Sequence, residues 1–333
     1  MAEGFTVVTT MKNEAPFLLE WVAFHLALGF DHIVLCTNDC DDPTEKMARR
    51  LARMGVLRHH ITQYNPGDSI QRVALRQVLD YPEVTGADWV YICDADEFLC
   101  SDVGNGTVQA LAAQARPRCE VISIPWRRFG SSYRRRYTDG LVTEQFTLAN
   151  PMPVEIPEQP LPNAFAKSLF RGAIIPRCDR LGIHTPIPKH WLKRDFIREL
   201  PGGRRIVDMP TPMHVPADYR LAQINHYQLR SVDSFLVKAE RGRVNHVAKP
   251  IGIEYWQRNE ASEVPCNRIA RMVPELRHWQ AQLLADRRLA TLHARAVRWH
   301  QDRIAELAKV PDMIQLRARI EAGFPDAERG AVA

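Results

Sequence analysis

The sequence predicts an α/β fold in which a doubly wound, mostly parallel sheet is followed by a C-terminal helical region. Three observations carry that expectation. The first half alternates short apolar runs with amphipathic stretches. The run Trp89-Val-Tyr-Ile-Cys93 ends in two carboxylates one residue apart, Asp94 and Asp96. From Val264 onward apolar residues recur at helical spacing. A chain of 333 residues, 45% hydrophobic and 25% charged, is long enough for one extended α/β domain with a helical appendage.

Phe5–Thr10 reads as the first strand and Pro16–Gly29 as the first helix, with proline in its opening turn and glycine at its end. His32–Thr37 is the second strand, Pro43–Met54 the second helix, and a short strand lies near Val56–Thr62. Ser69–Leu79 is the third helix and Trp89–Cys93 the strand before the acidic pair. This βαβαβαβ order requires right-handed crossovers and a sheet covered on both faces, with ligands at the carboxyl ends of the strands. From Pro117 to about Pro216 the pattern breaks into short strand-like pieces between proline-rich turns, the mark of a loop-rich region. Leu221–Ile224 reads as a further strand, and Ser231 caps a helix that runs to Arg241. In the last part, Ile269, Met272, Val273, Leu276, Trp279, Leu283 and Leu284 form a stripe expected to face a core. The final eight or so residues are expected to fray.

The net charge is +5, and the segment 265–309 holds nine basic residues against four acidic ones, a difference equal to the whole excess. That pattern reads as a solvated helix face, with peripheral contact to an anionic membrane surface as the alternative. No nucleic-acid partner is expected. Seven cysteines without a Cys-x-x-Cys pair support neither a disulfide framework nor a zinc site. The N-terminus passes straight into a strand and no window approaches 18 uncharged apolar residues, so a cytoplasmic enzyme is expected, with the inner face of the membrane as a possible surface of contact.

Asp94 and Asp96 are the first candidates for chemistry. Alternation along an extended chain sends both side chains to one side, with Ala95 leaving space between them. Their hard oxygens suit Mg²⁺ or Mn²⁺, which hold few protein ligands and complete their shells with water and phosphate.

Several separated motifs then agree in their order. Thr10-Met-Lys-Asn-Glu-Ala-Pro-Phe-Leu-Leu-Glu-Trp21 is followed by His25, Gly29-Phe-Asp-His-Ile33, Asn38-Asp-Cys-Asp-Asp-Pro-Thr44 and Asp94-Ala-Asp-Glu-Phe98. Later come Trp126-Arg-Arg-Phe-Gly-Ser-Ser132, Ala166-Lys-Ser-Leu-Phe-Arg171, Gly182-Ile-His-Thr-Pro186 and Ile224-Asn-His-Tyr-Gln-Leu-Arg-Ser231, continuing to Phe235, Lys238 and Arg241-Gly242. Together, over residues 5 to about 245, they resemble the family 2-like glycosyltransferases of GT-A fold, in the subgroup related to glycosyltransferase family 92.

The resemblance implies a GT-A-like domain over 1–245, with a nucleotide-binding half (1–116) and an acceptor half (117–245), and a helical region over 246–333. It implies transfer of a sugar, by inversion, from a nucleotide diphosphate donor to a glycan, lipid-linked or protein acceptor, with Mn²⁺ or Mg²⁺ held by Asp94 and Asp96 against the diphosphate. Asn13 and Glu14 at the exit of the first strand, and Asp39 and Asp42 at the exit of the second, fall where this fold receives the nucleoside; Asp42 reads equally as a helix cap. Thr37 departs from the Asp common in the subgroup. A late histidine would complete the metal shell, His226 first, His184 next, with His214 also available. For the base that takes the acceptor proton, Glu144 is the first candidate, with Asp139 and Glu97 as competitors. Lys167 and Arg171, four apart, would meet phosphate together if helical and on alternate positions if extended. Arg134-Arg135-Arg136 reads as an exposed basic loop, or as a hold for an anionic acceptor.

Two other readings compete. A metal-dependent phosphohydrolase or nucleotidyltransferase also uses acidic pairs at strand ends, but a phosphatase of the haloacid-dehalogenase type would carry its pair near the first strand with Thr or Val where Phe98 stands. A non-catalytic nucleotide-sugar-binding protein would keep the first-strand pocket without needing Asp94, Asp96 and a late His together.

Overall fold

The computed structural model describes residues 4–157, 159–192, 195–207, 209, 211–242 and 251–325. Its elements in chain order begin with β1 (Phe5–Met11), α1 (Ala15–Ala27), β2 (His32–Thr37), α2 (Thr44–Arg53), β3 (Arg58–Ile61), α3 (Ile70–Gln77), α4 (Pro82–Thr85) and β4 (Trp89–Ile92). They continue with β5 (Glu97–Ser101), α5 (Val108–Ala112), β6 (Val121–Arg128), α6 (Val142–Gln145), β7 (Leu148–Ala149), β8 (Asn163–Arg171), β9 (Cys178–Leu181) and β10 (Pro186–Pro188). The remainder comprises β11 (Arg198–Glu199), β12 (His214–Pro216), β13 (Ala222–His226), α7 (Val232–Arg241), α8 (Ile253–Asn259), β14 (Val264–Pro265), α9 (Val273–Leu284), α10 (Arg287–Leu307) and α11 (Pro311–Glu321).

The main sheet runs β3-β2-β1-β4-β8-β6-β13-β5, with β11 beside β6 and β12 beside β8. β1, β2, β3 and β4 are mutually parallel, as are β6 and β13, whereas β8 and β5 run against their neighbours. This is the mixed, mostly parallel α/β sheet the alternating pattern predicts. The region 117–216 differs from expectation. It holds β6 and β8, two long strands in the middle of the sheet, because Val121, Ile122, Ile124, Leu169 and Phe170 are buried there. The prolines confine loops to the stretches between these strands.

Helix α1 is buried on nearly every side, including Glu20 and His25, which is the signature of a helix enclosed between two layers. One layer is the sheet; the other is α9 and α10, which pack directly on it. The polar groups inside are satisfied. Glu20 accepts from the Val142 and Thr143 amides at 2.7 and 2.9 Å, and His25 Nδ1 meets the Trp21 carbonyl at 2.8 Å. Burial pushes the His25 pKa down to about 3, so the ring is neutral. Gly29, with φ +94, closes α1 in the left-handed region that glycine adopts without strain. In the C-terminal stripe Ile269, Met272, Leu276 and Leu283 are buried in the same core, with Val273, Trp279 and Leu284 packed against it. The expected domain limit at 245 and the expected frayed end lie outside the described residues.

Candidate functional site

The acidic pair sits in a turn. β4 ends at Ile92, and the Glu97 amide donates to the Asp94 carbonyl at 3.2 Å, closing the chain around Ala95 before β5 begins. Two strands then bring the chain's later part to this turn. β13 runs antiparallel to β5 with His226 opposite Glu97, and the Tyr227 amide donates to the Asp96 carbonyl at 2.8 Å. β8 runs antiparallel to β4, which carries Lys167 to the carboxyl edge beside Asp94.

Each carboxylate of the pair holds a lysine. Lys167, fully buried, donates to Asp94 Oδ2 at 3.1 Å and stands 3.4 Å from Glu97 Oε2. Gln71 donates to Asp94 Oδ1 at 2.5 Å. Lys238, on α7, donates to Asp96 Oδ2 at 2.9 Å and to the Gln228 carbonyl at 2.8 Å. His226 Nε2 lies 3.4 Å from Asp96 Oδ1, while its Nδ1 lies 3.0 Å from the Gln228 amide nitrogen, a donor; Nε2 therefore carries the proton. Burial alone would raise the Asp94 and Asp96 pKa values, but Lys167 at the first, and Lys238 with His226 at the second, more than offset it, so both are held below the ordinary carboxylate range. Glu97 is different. Its burial outweighs Lys167 and pushes its pKa well up.

Beside the pair, Glu14 is clamped by Arg230 at 2.9 Å and Arg241 at 2.7 Å. Burial opposes ionisation, yet the two guanidiniums bring its pKa down to about 2. Arg230 also lies 3.6 Å over the Phe17 ring. The Nε–H groups of Arg230 and Arg241 are buried without a partner among the described residues. Lys238 and Arg241, three apart on the helix that Ser231 caps, appear in the quoted motif, but nothing in the spacing assigns them to the site. They are what sequence reasoning missed, together with Gln71 and Arg72.

Of these groups Glu14, Gln71, Asp94, Asp96, His226, Gln228, Lys238 and Arg241 border one cavity of about 910 Å³ at the carboxyl edge of the sheet. Its lining carries five basic side chains, Lys12, Arg72, Arg180, Lys238 and Arg241, against Glu14, Asp94 and Asp96, so basic charge exceeds acidic by two. His184 and His226 also border it. The donor set of Asp94 and Asp96 fits a hard divalent cation that keeps water and phosphate in the rest of its shell. Among the described residues no three His, Cys, Asp or Glu side chains are grouped to close a shell by themselves.

The remaining candidates lie elsewhere. Asn13, with φ 52, accepts from the Asp41 amide at 2.9 Å and organises the loop after β2. Asp42 accepts from the Thr44 amide at 2.8 Å and the Ala15 amide at 2.9 Å, capping the first turns of both α2 and α1. Asp39 is exposed and accepts from the Tyr64 hydroxyl, which with Asn38 lowers its pKa. Arg171 lies at the far end of β4, opposite Trp89, where it donates to the Cys119 carbonyl at 2.8 Å. Lys167 and Arg171 are therefore extended, and only the first stands beside Asp94, buried behind the cavity wall. Glu97 is enclosed behind the pair, accepting from the Asp94 amide at 3.0 Å. Glu144 and Asp139 share a different cavity of about 360 Å³; there Glu144 pairs with Arg277 at 2.5 Å and Asp139 stands 3.9 Å from His293. His214 contacts Thr211 at 2.6 Å and does not border the main cavity. Arg134 and Arg135 are engaged, the first with the Gln145 carbonyl and the second beside Glu321 and Phe324.

No family model matches the chain. It is 28% identical over 154 residues, 44% of its length, to a glycosyltransferase family 92 protein of Oryza sativa subsp. japonica, and it spans about a quarter of that relative. Among solved structures it is similar to residues 1–349 of Staphylococcus aureus TarS (TM-score 0.31, 16% identity, 52% of this chain and 48% of that one). It is also similar to a mannosyltransferase of Pyrobaculum calidifontis in complex with GDP-Man and Mn²⁺ (TM-score 0.34, 15% identity, 98% and 81%). Those structural likenesses add nothing to the strand order given above. The sequence match is thus to a protein of the family whose ordered motifs residues 5–245 resemble, and it spans less than half of this chain.

Proposed function

We propose that this protein transfers a sugar from a nucleotide diphosphate donor, with inversion, at the cavity bordered by Asp94 and Asp96. The observation that carries the reading is the excess of basic side chains around an acidic pair at the carboxyl edge of the sheet. Cleavage of the anomeric C–O bond would leave a diphosphate of growing negative charge, and Lys12, Lys238 and Arg241, which line the cavity, would stabilise it. The unpartnered Nε–H of Arg241, which borders the cavity, suits the same anion. Mn²⁺ or Mg²⁺ on Asp94 and Asp96 would supply charge neutralisation of that leaving group. Glu14 orients Arg230 and Arg241, and Asn13 with Asp39 shapes the loop where a nucleoside would rest.

Inversion needs a base for the acceptor hydroxyl; Glu144, the group the sequence proposes with Asp139 as its neighbour, sits in a separate cavity paired with Arg277, so this role holds only if the acceptor hydroxyl reaches that cavity. Glu144→Gln should lower transfer while sparing donor binding, because a base acts in the transition state. Transfer equal to wild type would shift the role to a group in the main cavity. The exposed Arg287, Arg288, Arg295, Arg298 and Lys309 would suit the anionic inner face of a membrane; co-sedimentation with phosphatidylglycerol vesicles tests this. Among the described residues no helix is long and apolar enough to cross a membrane.

The deciding experiment is donor turnover with a panel of UDP- and GDP-sugars in the presence of Mn²⁺. Asp96→Asn should remove metal-dependent turnover and leave the circular dichroism spectrum unchanged. Equal turnover and equal metal response in the Asp94→Asn and Asp96→Asn proteins would refute the reading.

A further inference from the structure

From the acidic pair a file of aromatic rings leads outward along the sheet. His226, which meets Asp96, has its ring 4.3 Å from that of Trp126. Trp126 on β6 lies 5.0 Å from His184 and 5.6 Å from Phe165 on β8. Phe165 in turn lies 4.3 Å from His214 on β12. The strands set this spacing. β8 pairs with β6 and β12, and Phe165 stands opposite His214 in the register. The inner rings, Trp126, His184 and His226, border the main cavity. The outer end opens to solvent, with Phe165 44% exposed and Met213 38% exposed beside it.

The strip's outer end is not what the core requires: Phe165 and Met213 stay open to solvent with half-buried Trp126 behind Phe165, continuous with the main cavity, as an apolar contact surface does. Its chemistry is also specific. The His184 Nδ1 donates to the Ala166 carbonyl at 3.0 Å, which fixes the tautomer. Flat neutral π faces with a negative quadrupole attract the weakly positive C–H face of a pyranose. They offer little to a phosphate and no enclosed slot for an acyl chain.

We propose that this strip is the acceptor subsite, and that its occupant is a neutral glycan of more than one sugar, stacked by its C–H faces along Phe165 and Trp126 with its reacting end toward Asp96. The inference rests on the glycosyl-transfer reading, which it deepens by naming the acceptor class. Continuity argues for this occupant: the strip begins at the residue that contacts the acidic pair and runs out of the same cavity.

Saturation-transfer NMR with neutral tetrasaccharides (cellotetraose, maltotetraose and mannotetraose) and with the matching methyl monoglycosides tests it on the full chain, with UDP and GDP binding followed by calorimetry in parallel. At least one tetrasaccharide should receive saturation at its ring C–H protons and bind more tightly than its methyl glycoside. Phe165→Ala, at an exposed position, should weaken that binding about three- to tenfold, the size of one aromatic stacking contact. Phe165→Tyr should restore it, and nucleotide affinity should stay at the wild-type value in both. Nucleotide binding without any tetrasaccharide response, a response indifferent to Phe165→Ala, or a response only to lipid-linked or peptide probes would overturn the subsite. Loss of all nucleotide binding in the wild-type protein would instead count against the glycosyl-transfer reading.

Discussion

Glu14 shows how single groups at the site depend on pH. Its folded pKa of about 2 lies below the ordinary 4.5, so the stability it contributes is fully present above pH 4.5 and is lost as pH falls toward 2. A shift of that size corresponds to about 3 kcal/mol. Urea denaturation should therefore show stability falling between pH 5 and pH 2, and Glu14→Gln should flatten the slope; an unchanged slope would mean that Arg230 and Arg241 do not hold the carboxylate. At this scale the sequence disclosed the acidic groups better than their partners. Asp94, Asp96 and Glu14 announce themselves by following apolar runs. Lys167, Lys238, Arg230 and Arg241 are legible only once strand order and a helix face are known, because long basic side chains at 73 to 227 residues' separation are brought together by topology alone.

Among elements, the two capped helix starts behave most simply. Asp42 serves α1 and α2 at once, one oxygen to each. Asp42→Ala should cost about 1–3 kcal/mol in chemical denaturation, since it removes one cap and leaves a second buried amide unpaired. Nucleotide affinity in that variant should remain near wild type; a loss much larger than the change in stability would return Asp42 to the nucleoside pocket. The first-half strands and helices were legible because period-two and period-3.6 patterns dominate short local windows. β6 and β8 were not. Their apolar residues are interrupted by Pro125, Lys167 and Ser168, and a buried lysine in a strand reads as solvent-facing until its carboxylate partners are found.

At the scale of the molecule, the C-terminal helices complete the core. α9 and α10 cover α1, α10 and α11 cover α7, and Arg50 pairs with Asp286 at the start of α10. Leu276→Ala and Leu289→Ala, both at fully buried positions, should each cost about 2–5 kcal/mol by thermal or urea unfolding. Values near zero would mean that the layer is not part of the cooperative unit. The same layer supports Lys238, because Leu236 and Val237 of α7 pack against Leu307. Of the two lysines on the acidic pair, Lys167 is fixed in the middle of the sheet, whereas Lys238 extends from a helix. On the proposed reading, a divalent ion taken up at Asp96 would displace the Lys238 ammonium that now holds it, and a bound diphosphate would be the natural new home for that displaced charge. Metal and nucleotide should accordingly bind with positive, reciprocal cooperativity, each tightening the other by the same factor. Lys238→Met should erase most of that mutual gain while raising Mn²⁺ affinity in the absence of nucleotide. Titrations of Mn²⁺ by paramagnetic resonance, with and without UDP or GDP, measure both quantities, and equal coupling in the wild-type and Lys238→Met proteins would show that no eviction occurs.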